Sequence, residues 1–144
     1  MLDSLEISLC QMQGHLFELS AKKRHDSEAF VKAFMNSGIA EDLDKKFNHT
    51  KWAGKEYLLS RLSDEKAEAI KQGAVLDTET LFWTGYLYRY WHFYTGESSK
   101  KIYKQAPITV IKHVYLPYHT MSIEMVIDRL KETYADKKAM RGNT

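Results

Sequence analysis

Residues 81–95 read LFWTGYLYRYWHFYT and contain eight aromatic rings and a single charged residue, Arg89. Asp77 precedes this stretch and is a residue type that often caps a helix N-terminus, while Gly96 follows it and suits the left-handed position that ends a helix. Apolar and polar residues do not alternate, which disfavours a strand. The stretch therefore predicts one helix over about residues 78–95.

The apolar side chains of this predicted helix point in all directions, which is typical of a helix buried within a protein. Each ring can bury roughly 150–250 Å², so one helix could supply much of the core. The alternative is a helix that packs on one side and exposes the other as a partner surface, because Tyr, Trp and Arg are enriched at interaction hot spots. The exposure of Arg89 distinguishes these two interpretations.

Helical periodicity also dominates the rest of the chain. Residues 2–20 carry an apolar stripe with 4-3-4-3 spacing, at Leu5, Leu9, Met12, Leu16 and Leu19. Further helices are predicted within residues 27–35, 39–47, 51–73, 99–106, 108–116 and 123–135, with a turn at residues 116–120. The sequence thus predicts an all-α, compact bundle of about six to eight helices around residues 78–95, in a single domain over residues 1–136 with a charged tail over 137–144.

Composition limits the classes of protein that this chain can belong to. Of its 144 residues 44% are apolar, with two prolines and seven glycines, as in a folded domain. It has no basic-then-apolar leader pattern and no apolar run near the 18 residues that span a bilayer, and its single cysteine, Cys10, cannot form an internal disulfide. We therefore expect a cytoplasmic protein with Cys10 as a buried apolar residue. The net charge of +2 indicates no particular partner.

The usual patterns of catalytic and cofactor sites are missing from the sequence. The six histidines do not show the spacing of a metal site, and Gly85 and Gly96 do not form a phosphate-binding loop, so we expect no cofactor and no metal. Gly85 lies within the predicted helix, where it would allow close packing. The segment YHTMSIE groups Tyr118, His119, Thr120 and Glu124 and superficially resembles an acid–base cluster. Side chains beside a helix start more commonly satisfy free backbone groups, and this is the interpretation that we favour.

A short basic segment follows the aromatic helix and offers a nucleic-acid-binding alternative. A glycine turn and the helix SKKIYKQA could form a helix-turn-helix-like unit that presents Lys100, Lys101, Lys104 and Lys112, with His113, to phosphates. Readers of base edges usually employ Arg, Asn or Gln, and this helix offers only Gln105. A solvated basic helix is the simpler explanation.

Three segments resemble those of a group of small, mostly uncharacterised bacterial proteins: FWTGYLYRYWHFYTGESSKKIYK, YLPYHTMSIEMVIDRL and QMQGHLFELSAKKRHDSEAFVKAFMNS. The shared pattern is aromatic-x-Gly-Tyr-x-Tyr-Arg-Tyr-Trp with Ser-Ser-Lys and Tyr-His-Thr, and the resemblance covers most of residues 7–132. Genes of that group are often neighbours of a gene for a small protein similar to ADP-ribosyltransferases, an arrangement that looks like a toxin–antitoxin pair. The resemblance implies a partner of that kind and no enzyme activity, and it defines no functional residues.

The leading hypothesis is a non-enzymatic protein-interaction module that acts as the neutralising, antitoxin-like member of a bacterial two-gene system. Its binding surface is expected to include Arg89, Tyr90 and Tyr94 on the aromatic helix. The alternative is a nucleic-acid-binding regulator that uses the basic segment around residues 96–113, and a third hypothesis is an enzyme built around His119. The sequence leaves self-association open.

Overall fold

A computed structural model describes residues 2–45 and 53–142 of the chain. Within these residues it forms a helical bundle without strands, which confirms the predicted all-α class. The α-helices are α1 (Ser4–Lys22), α2 (Ser27–Met35), α3 (Gly38–Asp44), α4 (Lys55–Glu65), α5 (Thr78–Thr95), α6 (Ser99–Gln105), α7 (Ile108–Tyr118) and α8 (Ile123–Gly142), with a 3-10 helix at Ala67–Ile70 between α4 and α5. No described helix combines the length and apolar character needed to cross a membrane.

The aromatic helix α5 is bounded as predicted. The Asp77 side chain accepts a hydrogen bond from the Thr80 backbone N–H at 2.7 Å, and Gly96 ends the helix in the left-handed region at φ 78°. Tyr88 and Trp91 are buried and Tyr90 is 8% exposed, while the rings of Phe82, Trp83, Tyr86 and Phe93 are partly buried. The expectation that this helix forms the centre of the core is confirmed.

Helix α1 packs along α5 closely enough for glycines to be required. A Cβ added at Gly85 would lie 2.5 Å from the backbone oxygen of Gln13, and one added at Gly14 would lie 2.8 Å from the Phe82 ring. The two backbones therefore approach without an intervening side chain, as expected for Gly85. Phe17 of α1 then packs edge-on against the Phe30 and Phe34 rings of α2, with centroids 5.4 Å away in each case.

Residues 66–77 differ from the helix that was predicted to end near Gly73. Helix α4 ends at Glu65, and after the 3-10 helix the chain is extended up to α5. The turn before α2 binds this extended segment, because the Asp26 N–H donates to the Lys71 carbonyl at 2.8 Å and the Ser27 N–H donates to the Ala74 carbonyl at 3.0 Å. The Ser27 hydroxyl also accepts from the Leu76 N–H at 2.8 Å. These long-range hydrogen bonds replace helical ones that periodicity alone had suggested.

Two other boundaries differ from the predictions. Helix α7 continues through Pro117 to Tyr118, and the turn is restricted to residues 119–122. A proline near a helix end removes only one backbone hydrogen bond, which is why the helix tolerates it there. The predicted tail is helical up to Gly142, because its Ala, Lys, Met and Arg residues are strong helix formers. The end of the helix predicted over residues 39–47 and the start of the one predicted over 51–73 lie outside the described residues.

Candidate functional site

Arg89, the only charged residue of the aromatic stretch, lies inside the protein with 2% of its surface exposed. Its Nε donates to Oε1 of Gln13 at 2.9 Å. Its Nη1 and Nη2 donate to Oδ1 of Asp44 at 2.7 Å and to Oγ of Ser99 at 3.2 Å. The prediction that Arg89 is part of an exposed partner surface is wrong, because the guanidinium is buried and its three nitrogens donate hydrogen bonds within the bundle.

The residues around Arg89 complete one another's hydrogen bonds. Oδ2 of Asp44 accepts from the Ser99 backbone N–H at 2.8 Å, and its Oδ1 accepts from the Ser99 hydroxyl at 2.7 Å. Nε2 of Gln13 donates to the Gly85 carbonyl at 3.0 Å. We call Gln13, Asp44, Arg89 and Ser99 the Arg89 cluster; it joins α1, α3, α5 and α6.

The electrostatics of the Arg89 cluster favour a structural role. Burial lowers the pKa of Arg89, and the Asp44 carboxylate opposes that change through its charge and its hydrogen bond. A recess of about 270 Å³ reaches Asp44 and Ser99 from the surface and is flanked by Glu41 and Lys100. Since the oxygens of Asp44 already accept from Arg89 and Ser99, the cluster holds four helices together without offering an unsatisfied charge.

Tyr90 and Tyr94 bind helix α8. The Tyr90 hydroxyl donates to Oε2 of Glu124 at 2.9 Å, and burial together with this carboxylate raises the pKa of Tyr90 to about 12. One turn later, the Tyr94 hydroxyl donates to the Asp128 carboxylate at 3.1 Å. Tyr90 is buried, whereas Tyr94 is 40% exposed. Of the three residues predicted to bind a partner, the structure leaves only Tyr94 substantially exposed.

Glu97 forms a second polar centre directly after α5. Its carboxylate accepts from Trp91 Nε1 at 2.9 Å, from Gln105 Nε2 at 2.9 Å and from Lys131 Nζ at 2.6 Å. Burial on its own raises the pKa of Glu97, but the hydrogen bonds from Lys131, Trp91 and Gln105 outweigh it and bring the pKa down from 4.5 to about 2. Glu97 therefore ties α8 to the end of the aromatic helix.

The contacts between α5 and α8 show where α8 leaves the body of the bundle. They run in register from Tyr90 with Glu124 to Tyr94 with Asp128, and Glu97, which follows the end of α5, continues them with Lys131. Helix α5 ends at Thr95, whereas α8 continues for another eleven residues after Lys131. Residues 132–142, which we call the free half of α8, are all exposed except for the half-buried Tyr134.

The predicted nucleic-acid-binding lysines are in different environments. Lys100 and Lys104 are exposed on α6. Lys101 lies 3.6 Å from the Glu97 carboxylate, and Lys112 of α7 lies 3.8 Å from the Glu28 carboxylate. Two of the four lysines therefore face acidic side chains, which weakens the case for a common phosphate-binding surface.

The suspected acid–base cluster near His119 is divided between different partners. His119 Nδ1 lies 2.9 Å from the carbonyls of Tyr115 and Leu116, and its ring stacks on Tyr115 with centroids 4.6 Å apart. Glu124 accepts from Tyr90 instead. His119 was expected to satisfy free backbone groups beside a helix start; its backbone partners are instead carbonyls at the end of α7.

Cys10 is a buried residue that is not activated as a nucleophile. Cys10 is buried, and burial raises the pKa of its thiol to about 12, in agreement with its expected role as a small apolar residue. In the described part of the chain, no group of three or more His, Cys, Asp or Glu side chains could hold a metal ion.

An open groove of about 780 Å³ lies between α2, the 3-10 helix and the start of α7. Its floor includes Ala33, Tyr103 and Ile108. Its charged lining is balanced, with three lysines and three carboxylates: Lys32, Lys66, Lys71, Asp26, Glu28 and Glu68. A balanced lining selects no class of ligand by charge.

Sequence reasoning missed the partners of Arg89 and the role of Glu97. Gln13 gave one usable signal, because it is a polar residue adjacent to the apolar stripe of α1. Asp44 and Ser99 gave none, since Asp44 lies in a charged segment and Ser99 lies at a helix start, where such residues are ordinary.

Comparisons of the chain with protein-family models, curated proteins and solved structures found no match.

Proposed function

We propose that this protein is a non-enzymatic protein-interaction module that acts in the cytoplasm as the neutralising, antitoxin-like member of a bacterial two-gene system. Its partner would be a neighbouring-gene protein similar to ADP-ribosyltransferases, as the sequence resemblance implies. The observation that carries the proposal is the free half of α8, which extends as a helix beyond the body of the bundle.

The stability of this exposed helix depends on its connection to the core. Eleven residues span about 17 Å, and an isolated helix of that length is only marginally stable in water. The free half of α8 remains helical because Val126, Ile127 and Leu130 anchor the preceding turns in the core. A preformed helix that projects from a folded domain loses little conformational entropy on binding, which favours recognition by insertion into a partner's groove.

The interior polar groups support the same proposal. Arg89, Asp44 and Ser99 hydrogen-bond to one another, and Glu97 is occupied by Lys131, Trp91 and Gln105. The hydrogen bonds of these groups are made within the fold. Binding through the projecting helix requires no reacting group.

Co-expression with the product of the adjacent gene, followed by gel filtration, tests the proposal. The full chain is expected to co-elute with that product, and a chain that ends at Ala135 is expected to elute separately while keeping its unfolding midpoint. Substitution of Leu116, which is 77% exposed on α7, by Gln provides a control that should co-elute normally. Failure of the full chain to co-elute would reject the proposal.

A further inference from the structure

The free half of α8 has two chemically different faces. An α-helix turns by about 100° per residue, so positions spaced by three or four lie on the same face. Lys131, Tyr134, Lys138 and Arg141 have this 3-4-3 spacing, and Lys137 lies beside them. Glu132 and Asp136 are four residues apart and share the opposite face. We call Lys137, Lys138 and Arg141, together with Tyr134, the basic strip.

The basic strip continues the face of α8 that packs on the bundle. Ile127 and Leu130 are buried, Tyr134 is half-buried one turn further on, and the cations follow at the next turn. The apolar face thus becomes cationic where the end of α5 no longer lies beneath it. A partner that contacts this strip would also lie against the end of the bundle, next to Glu97 and Lys131.

The helix dipole explains only part of this arrangement. Cations near a helix C-terminus are stabilising because they complement the partial negative charge there. That interaction depends on position along the axis and acts equally on all faces of the helix. It does not explain why the cations and the two carboxylates, Glu132 and Asp136, lie on opposite faces. A partner that binds one side of the helix would contact the cations alone.

We infer that the basic strip binds a complementary acidic surface, rich in Asp and Glu, on a partner protein. This inference rests on the proposed function and names the chemistry of the partner. Charges of opposite sign across an interface accelerate association and favour one orientation over others. Tyr134 at the base of the strip provides an amphipathic ring of the kind that is enriched at interaction hot spots.

A protein surface fits the strip better than a nucleic acid does. A helix that enters the major groove meets phosphates on both flanks, and in this chain Glu132 and Asp136 occupy the far side of the helix. Of the side chains that usually read base edges, the strip offers only Arg141. An acidic protein surface contacts only the cationic face.

Binding of fluorescent poly-L-glutamate, measured by anisotropy, tests this inference without the partner. The full chain is expected to bind, and Lys137→Gln/Lys138→Gln/Arg141→Gln is expected to weaken binding at least tenfold. The matched variant Glu132→Gln/Asp136→Gln should bind at least as tightly as the natural chain. Gln is a good helix former, so neither variant should disturb α8.

The alternatives give separate results. Absence of poly-L-glutamate binding, or equal binding by the triple variant, would overturn the inference. Tighter binding to duplex DNA of the same charge, with affinity falling steeply between about 50 and 200 mM salt, would instead indicate a nucleic-acid surface. Co-elution of the triple variant with the adjacent-gene product would also reject the basic strip as the contact, while leaving the proposed interaction intact.

Discussion

Arg89 and the cations of the free half of α8 carry the same charge in opposite surroundings. Arg89 is 2% exposed, and three side chains saturate its guanidinium. Lys137 and Lys138 are exposed on a helix that has left the body of the bundle. The interior cation therefore maintains the fold, whereas Lys137 and Lys138 are exposed to solvent. Separate measurements of stability and of binding test this distinction.

The largest effect is expected from Arg89→Met. Removing one member of a buried ion pair typically costs about 3–5 kcal/mol, because the remaining charge is left buried without compensation. Here Asp44 would lose its guanidinium partner and Gln13 would lose the donor to its Oε1. Urea unfolding at neutral pH, followed by circular dichroism, measures the loss. Lys138→Met, at an exposed position, should change the free energy of unfolding by less than about 0.5 kcal/mol.

A double variant sharpens this test. Arg89→Met/Asp44→Leu removes both charges and should recover part of the stability, since an apolar pair of similar volume can replace a buried ion pair. If Arg89→Met alone costs less than about 1 kcal/mol, the Arg89 cluster is not what holds the four helices together.

Glu97 is intermediate in exposure between the buried Arg89 and the exposed Lys137 and Lys138. It lies where α8 leaves the bundle. Its pKa is about 2 in the folded protein and 4.5 ordinarily. Because the folded value is the lower one, this group stabilises the protein fully above the unfolded pKa, and the contribution is lost as the pH falls from about 5 to 2. A shift of this size corresponds to about 3 kcal/mol.

Glu97→Gln should therefore be less stable than the natural chain at pH 7, and the difference should shrink towards pH 2. Urea unfolding at a series of pH values, followed by circular dichroism, measures this difference. Glu132→Gln serves as a control, since Glu132 lies on the exposed face of α8. A constant difference between pH 7 and pH 2 would disprove the linkage.

The sequence predicted the parts of the fold that depend on local patterns. The rings of α5, the cap at Asp77 and the left-handed Gly96 are local signals, and each was found in the structure. The extended segment after Ile70 was missed because it is fixed by hydrogen bonds to Asp26 and Ser27, more than forty residues away in sequence. Periodicity contains no information about such distant partners.

The candidate site was predictable to a smaller extent, for the same reason. Arg89 was singled out correctly as the residue that distinguishes a core helix from a surface helix, but its burial depends on Gln13 and Asp44, which α1 and α3 bring to it. Tyr90 and Tyr94 were expected to face a partner, and they bind Glu124 and Asp128 of the protein's own α8. A ring suited to an interface is equally suited to an internal helix contact.

The smallest effect is expected for the stability of the basic-strip variant Lys137→Gln/Lys138→Gln/Arg141→Gln. These positions are exposed and lie beyond the last buried residue of α8, Leu130, so unfolding of the bundle should not depend on them. Loss of cations from the helix C-terminus should promote fraying of residues 132–142, which lowers the ellipticity at 222 nm slightly without moving the urea midpoint. A midpoint change that corresponds to more than about 0.5 kcal/mol would mean that the strip contributes to the fold. It would then resemble Arg89 in role, and the distinction between interior and outer cations would fail.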